Sequence, residues 1–178
     1  MKQFIQIRCK NNKKTAKVAI GSTLYDVFHE LNLDMPYGPV NAKVNNKIEG
    51  MHYRLYHNKD IEFLDLHSPS ALRTYTRTLF FVLCKAVRDL YPHSRVVIDI
   101  PVSNGYYVDL DIQRPITPDD ANAIRLRMQE IVEARMPISR HETTTEAAIE
   151  MFKKVGDESK VRLLETVGTL YTTYYELD

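Results

Sequence analysis

Long apolar runs are missing from this sequence. No stretch approaches the roughly 18–20 apolar residues of a membrane-spanning helix, so no membrane partner is expected. Glycine is scarce. Its six positions, 21, 38, 50, 105, 156 and 168, include no pair spaced for Gly-x-x-x-x-Gly-Lys-Ser/Thr and no Gly-x-Ser-x-Gly. Neither a phosphate-cradling loop nor a nucleophile elbow is therefore present. Cysteine is limited to Cys9 and Cys84, which fall in different predicted elements and read as free thiols of a reducing cytoplasm. The six histidines, His29, His52, His57, His67, His93 and His141, include no two at i+2, i+3 or i+4. Metal-ligand spacing is thus missing, and no metal or other cofactor is expected in this chain. No sign of charge dominates either. A net charge of +1 gives no global pull toward nucleic acid or membrane.

What is there suits a globular chain of one large domain or two small ones: 178 residues, 44% hydrophobic and 26% charged. Charge is uneven. Residues 1–65 carry 10 Lys and Arg against 7 Asp and Glu, and the remainder carries 14 against 16. This asymmetry predicts a boundary near Leu66. The opening Met-Lys-Gln-Phe-Ile-Gln-Ile-Arg alternates polar and apolar residues, which is a strand and not a signal peptide. Asn11-Asn12 marks a hairpin turn, and Thr15–Ile20 is the return strand. Ser22 is the expected N-cap of a helix whose apolar face is Leu24, Val27, Phe28 and Leu31. Pro36-Tyr37-Gly38-Pro39 forces a loop. Strands are expected at Val40–Val44, around His52–Tyr56 and at Asp60–Leu64, with Asn45-Asn46 as a second turn.

The second part opens with a helix over about Ser70–Tyr91. Leu72, Tyr75, Leu79, Leu83, Ala86 and Leu90 give it one continuous apolar stripe, and Pro92 ends it. Arg95–Ile100 and Gly105–Ile112 read as strands around the turn Ser103-Asn104-Gly105. Thr117-Pro118-Asp119-Asp120 is a helix start: Thr as N-cap, Pro at the first position, acids in the first turn. A strand near Ile138–Glu142, helices at Thr145–Lys154 and Glu158–Glu165, and a strand from Tyr171 to Asp178 complete an α+β pattern.

Gly21-Ser22-Thr23-Leu24-Tyr25-Asp26-Val27, Val44-Asn45-Asn46-Lys47 and Asn58-Lys59-Asp60-Ile61-Glu62 resemble, in order and spacing, the TGS domain. That is the ubiquitin-like β-grasp module at the front of threonyl-tRNA synthetases and some GTPases. Tyr91-Pro92-His93-Ser94, Asn104-Gly105-Tyr106-Tyr107-Val108-Asp109, Thr117-Pro118-Asp119-Asp120 and Glu158-Ser159-Lys160-Val161 resemble landmarks of the second additional, editing domain of threonyl- and alanyl-tRNA synthetases. The resemblance implies a TGS-like β-grasp at 1–66. It implies an antiparallel sheet with a long helix, an editing-like domain truncated at its C-terminus, at 67–178. Active editing domains hydrolyse mischarged aminoacyl-tRNA with a His-x-x-x-His pair on the long helix and a later cysteine and histidine. The positions matching the pair are Arg77 and Phe81. Arginine is no base near neutral pH and phenylalanine has no lone pair. The later segment would fall beyond Asp178.

The expectation is therefore a scaffold without catalytic residues. Arg77 and Arg88 flank Phe81 and Cys84 on the long helix, with Arg73 nearby on the same helix. With Asn104, Tyr106 and Asp109 they form a candidate cleft for a phosphate or carboxylate; a solvated basic face is the plain alternative. Asp109 and Asp111, with Asp99, form at most a weak acidic site, and Cys84 reads as a buried apolar filler. Lys10, Lys13, Lys14 and Lys17 are candidate phosphate or RNA contacts; lysines that protect an edge strand are the alternative. The same domain pair also resembles the front of bacterial uridine kinase-like proteins. That implies an accessory or regulatory region, with a C-terminal kinase domain as partner, ATP and Mg held by that partner, and an RNA or nucleotide ligand. A deacylase and an RNA-binding module related to threonyl-tRNA synthetase are the competing readings.

Overall fold

Alternation in Phe4-Ile5-Gln6-Ile7-Arg8-Cys9 places Ile5, Ile7 and Cys9 on one face, and all three are buried. The computed structural model describes residues 3–103 and 105–177. They divide into two compact units, Met1–Phe80 and Phe81–Asp178. The dividing point lies inside a long helix, beyond the Leu66 expected from charge.

The first unit orders its strands β1 (Phe4–Cys9), β2 (Thr15–Ala19), β3 (Asn41–Val44), β4 (Lys47–Gly50) and β5 (Lys59–Leu64), with helix α1 (Leu24–Glu30) between β2 and β3. They form a five-stranded sheet in the order β2-β1-β5-β3-β4. β1 runs parallel to β5, and the remaining neighbours are antiparallel. Ile5, Ile7, Val18, Val44, Ile61 and Phe63 of the sheet pack with Leu24, Val27 and Leu31 of the α1 segment. Asn11 closes the β1 end of this sheet. Its side-chain amide donates to the Phe63 carbonyl at 2.9 Å and accepts from the Phe63 N–H at 2.8 Å.

Two expectations are corrected here. No strand forms over His52–Tyr56, where the only pairing is the bridge of Arg54 with Thr23. Asn45 and Asn46 both take positive φ, 47° and 70°, which folds the chain straight back into β4. Ser22 is not the N-cap. Thr23 is: its hydroxyl accepts from the Asp26 N–H at 3.2 Å, and the Asp26 carboxylate accepts from the Thr23 N–H at 2.7 Å. This reciprocal capping box holds a helix of only 7 residues. Thr23→Ala is expected to cost about 1 kcal/mol, read as a lowered urea midpoint; an unchanged midpoint would show that the box is idle.

Helix α2 (Pro69–Leu90, 22 residues) serves both units in turn. Its expected stripe is not one buried face: Leu72, Tyr75, Leu79 and Leu90 are exposed. The buried residues are Ala71 in the first unit and Val82, Ala86 and Val87 in the second. Apolar periodicity locates a face of a helix but not the neighbour that covers it. In the first unit Thr74 of α2 accepts from the buried Asn41 amide of β3 at 2.9 Å.

The second unit adds β6 (Arg95–Val102), β7 (Gly105–Asp111), α3 (Pro118–Glu133), β8 (Ile138–Thr144), α4 (Thr145–Lys154), α5 (Glu158–Val167) and β9 (Tyr171–Leu177). β6 pairs antiparallel with β7, and β8 with β9. Val82, Ala86 and Val87 of α2 cluster with Ile124 and Ile131 of α3 and with Leu177. The chain is thus mixed α+β. Among the described residues no helix is long and apolar enough to cross a membrane.

Candidate functional site

The second unit fixes α2 to α3 by two polar clamps. Asp89 accepts from Arg127 Nη2 at 2.7 Å and from Lys85 Nζ at 2.9 Å. Burial raises the Asp89 carboxyl, but these bonds outweigh it and hold the group below the ordinary carboxylate range. At the start of α3, Asp120 is only 7% exposed. It accepts from Arg114 Nη1 and Nη2 at 2.7 and 2.6 Å, from the Tyr91 hydroxyl at 2.7 Å, and from the Thr117 N–H and hydroxyl at 2.9 and 2.7 Å. The Arg114 fork, followed by the Thr117 and Tyr91 donors, drives the Asp120 carboxyl far below its usual range. Both carboxylates are consumed by structure. So is Lys85, through its ion pair with Asp89.

Burial pushes the Cys84 thiol up, while the positive charges of Arg88 and Lys160 pull it down without prevailing. Cys84 is therefore a half-buried thiol and not a ready thiolate. Lys160 also lies 4.9 Å above the Phe152 ring centroid and 3.2 Å from Asp157, the N-cap of α5. Two cations from two helices thus act on one neutral sulfur, with Lys160 already paired to Asp157. This group can attract a phosphate or carboxylate, but it offers no general base and no activated nucleophile. An apolar groove of ≈ 350 Å³ in the same unit is lined by Leu83, Val108, Leu110, Ile116, Ile124 and Met128. Ala121 and Arg125 complete its lining, and Arg125 is its one charged side chain.

The expected cleft residues fall in both units. Arg73 and Arg77 are exposed in the first unit's part of α2, where Arg73 donates to the Ser70 hydroxyl at 3.4 Å. Phe81 packs against the second unit's core. Cys84 and Arg88 belong to the group just described. Tyr106 and Asp109 are exposed on β7, with Asp109 opposite Val97 of β6. Asn104 lies outside the described residues. Asp111 caps its own turn by accepting from the Gln113 N–H at 2.8 Å. Among the described residues no group of three or more His, Cys, Asp and Glu is placed to hold a metal ion. The four lysines of the β1–β2 hairpin, Lys10, Lys13, Lys14 and Lys17, are exposed and make no ion pair among the described residues. Sequence reasoning passed over Lys160 as a site residue. Its signal was present, because Glu158-Ser159-Lys160-Val161 is one of the landmark segments.

No known family profile matches the chain. Individual relatives do. The chain is 27% identical over 155 residues to the threonine–tRNA ligase of Geobacter sp. strain M21, covering 87% of this chain and 24% of that protein. It is 30% identical over 161 residues to the threonine–tRNA ligase of Desulforamulus reducens, covering 90% and 25%. It is 33% identical over 138 residues to that of Syntrophotalea carbinolica, covering 76% and 22%. None of the three is named as a kinase, so the nucleoside-kinase setting expected from the sequence finds no support among them. The chain spans about a quarter of the length of these relatives, and over most of its own length it is homologous, at modest identity, to threonine–tRNA ligases.

Proposed function

We propose that this chain is a tRNA-binding module related to threonyl-tRNA synthetase, with an editing-like second part that holds the charged end of a tRNA without cleaving it. In this reading residues 1–66 are a β-grasp of the TGS kind, and residues 67–178 are the editing-like part. The strand order β2-β1-β5-β3-β4, with β1 parallel to β5 and α1 between β2 and β3, supports the β-grasp. One observation carries the functional reading: Arg77 and Phe81 stand at the positions of the histidine pair, in a chain homologous to threonine–tRNA ligases. An arginine and a phenylalanine cannot move a proton to or from water at an ester. The sulfur nearest to them in sequence, Cys84, is held neutral by burial. Arg88 and Lys160 then supply the charge that a terminal phosphate or a carbonyl oxygen would meet.

Incubation with tRNA charged with the wrong amino acid is expected to show no deacylation above the uncatalysed rate. Filter binding is expected to show tRNA retention that weakens steeply with salt. Arg88→Ala and Lys160→Ala should each weaken retention by about fivefold or more, the worth of one charge-assisted contact. Turnover by the chain would overturn the non-hydrolytic part of the reading. Absence of salt-dependent retention would overturn the reading as a whole.

A further inference from the structure

The solvent-facing side of the first unit's sheet carries a polar depression of ≈ 430 Å³. Two rows of side chains cross it. Thr15 of β2 stands opposite Arg8 of β1, and Arg8 stands opposite Asp60 of β5. Gln6 of β1, which pairs with Lys17 of β2, forms the next row with Asn58. Asn45 and Lys59 complete the lining.

The hydrogen bonds fix which atoms face the space. Asn58 Oδ1 accepts from the Gln6 N–H at 2.8 Å, and Asn45 Oδ1 accepts from the Asp60 N–H at 3.0 Å. With each carbonyl oxygen tied to backbone, each side-chain NH₂ is turned away from that bond and left to donate. Among the described residues neither NH₂ has an acceptor in the protein. The single carboxylate, Asp60, is already gripped by Arg8 through Nε at 2.9 Å and through Nη2. Lys59 of β5 stands opposite the buried Ile7, on the other face of the sheet, so the positive charges beside the depression are Lys17, in the Gln6 row, and Lys10, two residues beyond Arg8. A concave site of amide and hydroxyl donors with surplus positive charge selects an acceptor-rich anion.

We propose that this depression is a phosphate-binding site, in which the NH₂ groups of Asn45 and Asn58 hold the oxygens and Lys10 and Lys17 draw the ligand in. The phosphate belongs either to a polynucleotide backbone or to a free nucleotide, and the test separates the two. The site lies wholly in the first unit, so losing it leaves Arg88 and Lys160 of the second unit untouched.

The chain labelled with ¹⁵N would be titrated with inorganic pyrophosphate and, separately, with a 12-nucleotide oligouridylate at fixed ionic strength. Both probes are expected to shift the amides of Gln6, Arg8, Asn45, Asn58 and Asp60. Oligouridylate binding about tenfold or more tighter than pyrophosphate assigns a polynucleotide, since several phosphates then act together; equal affinities assign a free nucleotide. Asn58→Asp keeps the shape and the acceptor for the Gln6 N–H but sets a second carboxylate against the ligand. It is expected to weaken both probes about tenfold or more. Lys17→Gln tests the charge alone and should weaken both by about threefold or more. No shift at these amides with either probe overturns the site. So does binding that Asn58→Asp leaves unchanged while that variant's spectrum stays folded.

Discussion

Asp120→Asn is expected to destabilise the second unit at neutral pH and to flatten its stability profile in acid. Asp120 is the acceptor for Arg114, Thr117 and Tyr91 together, and no second carboxylate stands by to replace it in that set. Its folded carboxyl titrates far below the unfolded value. The stability it contributes is therefore fully present above the unfolded value of about 3.9 and is lost as pH falls below that value toward the folded one. Denaturant unfolding of the native chain should lose stability steadily from about pH 5 to about pH 2. The variant should start lower and lose less across the same window. Equal slopes for the two proteins would refute the assignment, because every other carboxylate is common to both. Thr117→Ala, which removes the hydroxyl donor but leaves the Arg114 fork and the residue 117 N–H, should cost only about 1 kcal/mol and reduce the slope only in part.

Phe63→Ala is expected to cost the first unit about 3–5 kcal/mol. Phe63 is 1% exposed near the C-terminal end of β5. It meets the Phe28 ring edge to face at a centroid distance of 5.3 Å, and its backbone is the partner of the Asn11 amide. Truncation leaves a cavity between sheet and α1 that neither can close without breaking the β5 ladder. Hydrogen exchange read residue by residue is the suitable measurement. Amides of β1, β3 and β5 should lose protection together, by about two orders of magnitude or more. Protection lost only at Phe63 and its direct neighbours would mean that the core tolerates the gap.

Much of this architecture is legible in the residues, and the exceptions have physical causes. The alternation of β1, the Asn45-Asn46 turn and the Thr117-Pro118-Asp119-Asp120 start each report a local rule, and each element forms where the rule puts it. The strand expected at His52–Tyr56 fails because Met51 and Leu55 are buried as single anchors, 4% and 0% exposed, in a segment without a ladder. Apolar residues two to four apart mimic a strand there. The α2 stripe fails for a different reason. Leu72, Tyr75 and Leu79 have helical spacing, but the buried contacts of this stretch are made through the smaller Ala71 and Thr74. The candidate site was half legible. Arg88 and Cys84 follow from helix spacing, whereas Lys160 comes from α5 far along the chain, and no local pattern links the two. The pocket of Asn45 and Asn58 lay further out of reach, since it is set by which end of each amide the backbone captures.

The Thr-x-x-Asp phrase that opens α1 opens α3 as well. In both, an aspartate grips the amide of the threonine that precedes its helix, and in both that grip lowers the acid's affinity for a proton. Acidification therefore attacks the two units by one and the same reaction. Neither unit can serve as an acid-proof reference for the other, and only acid well below about pH 4 would fray both helices at the same end.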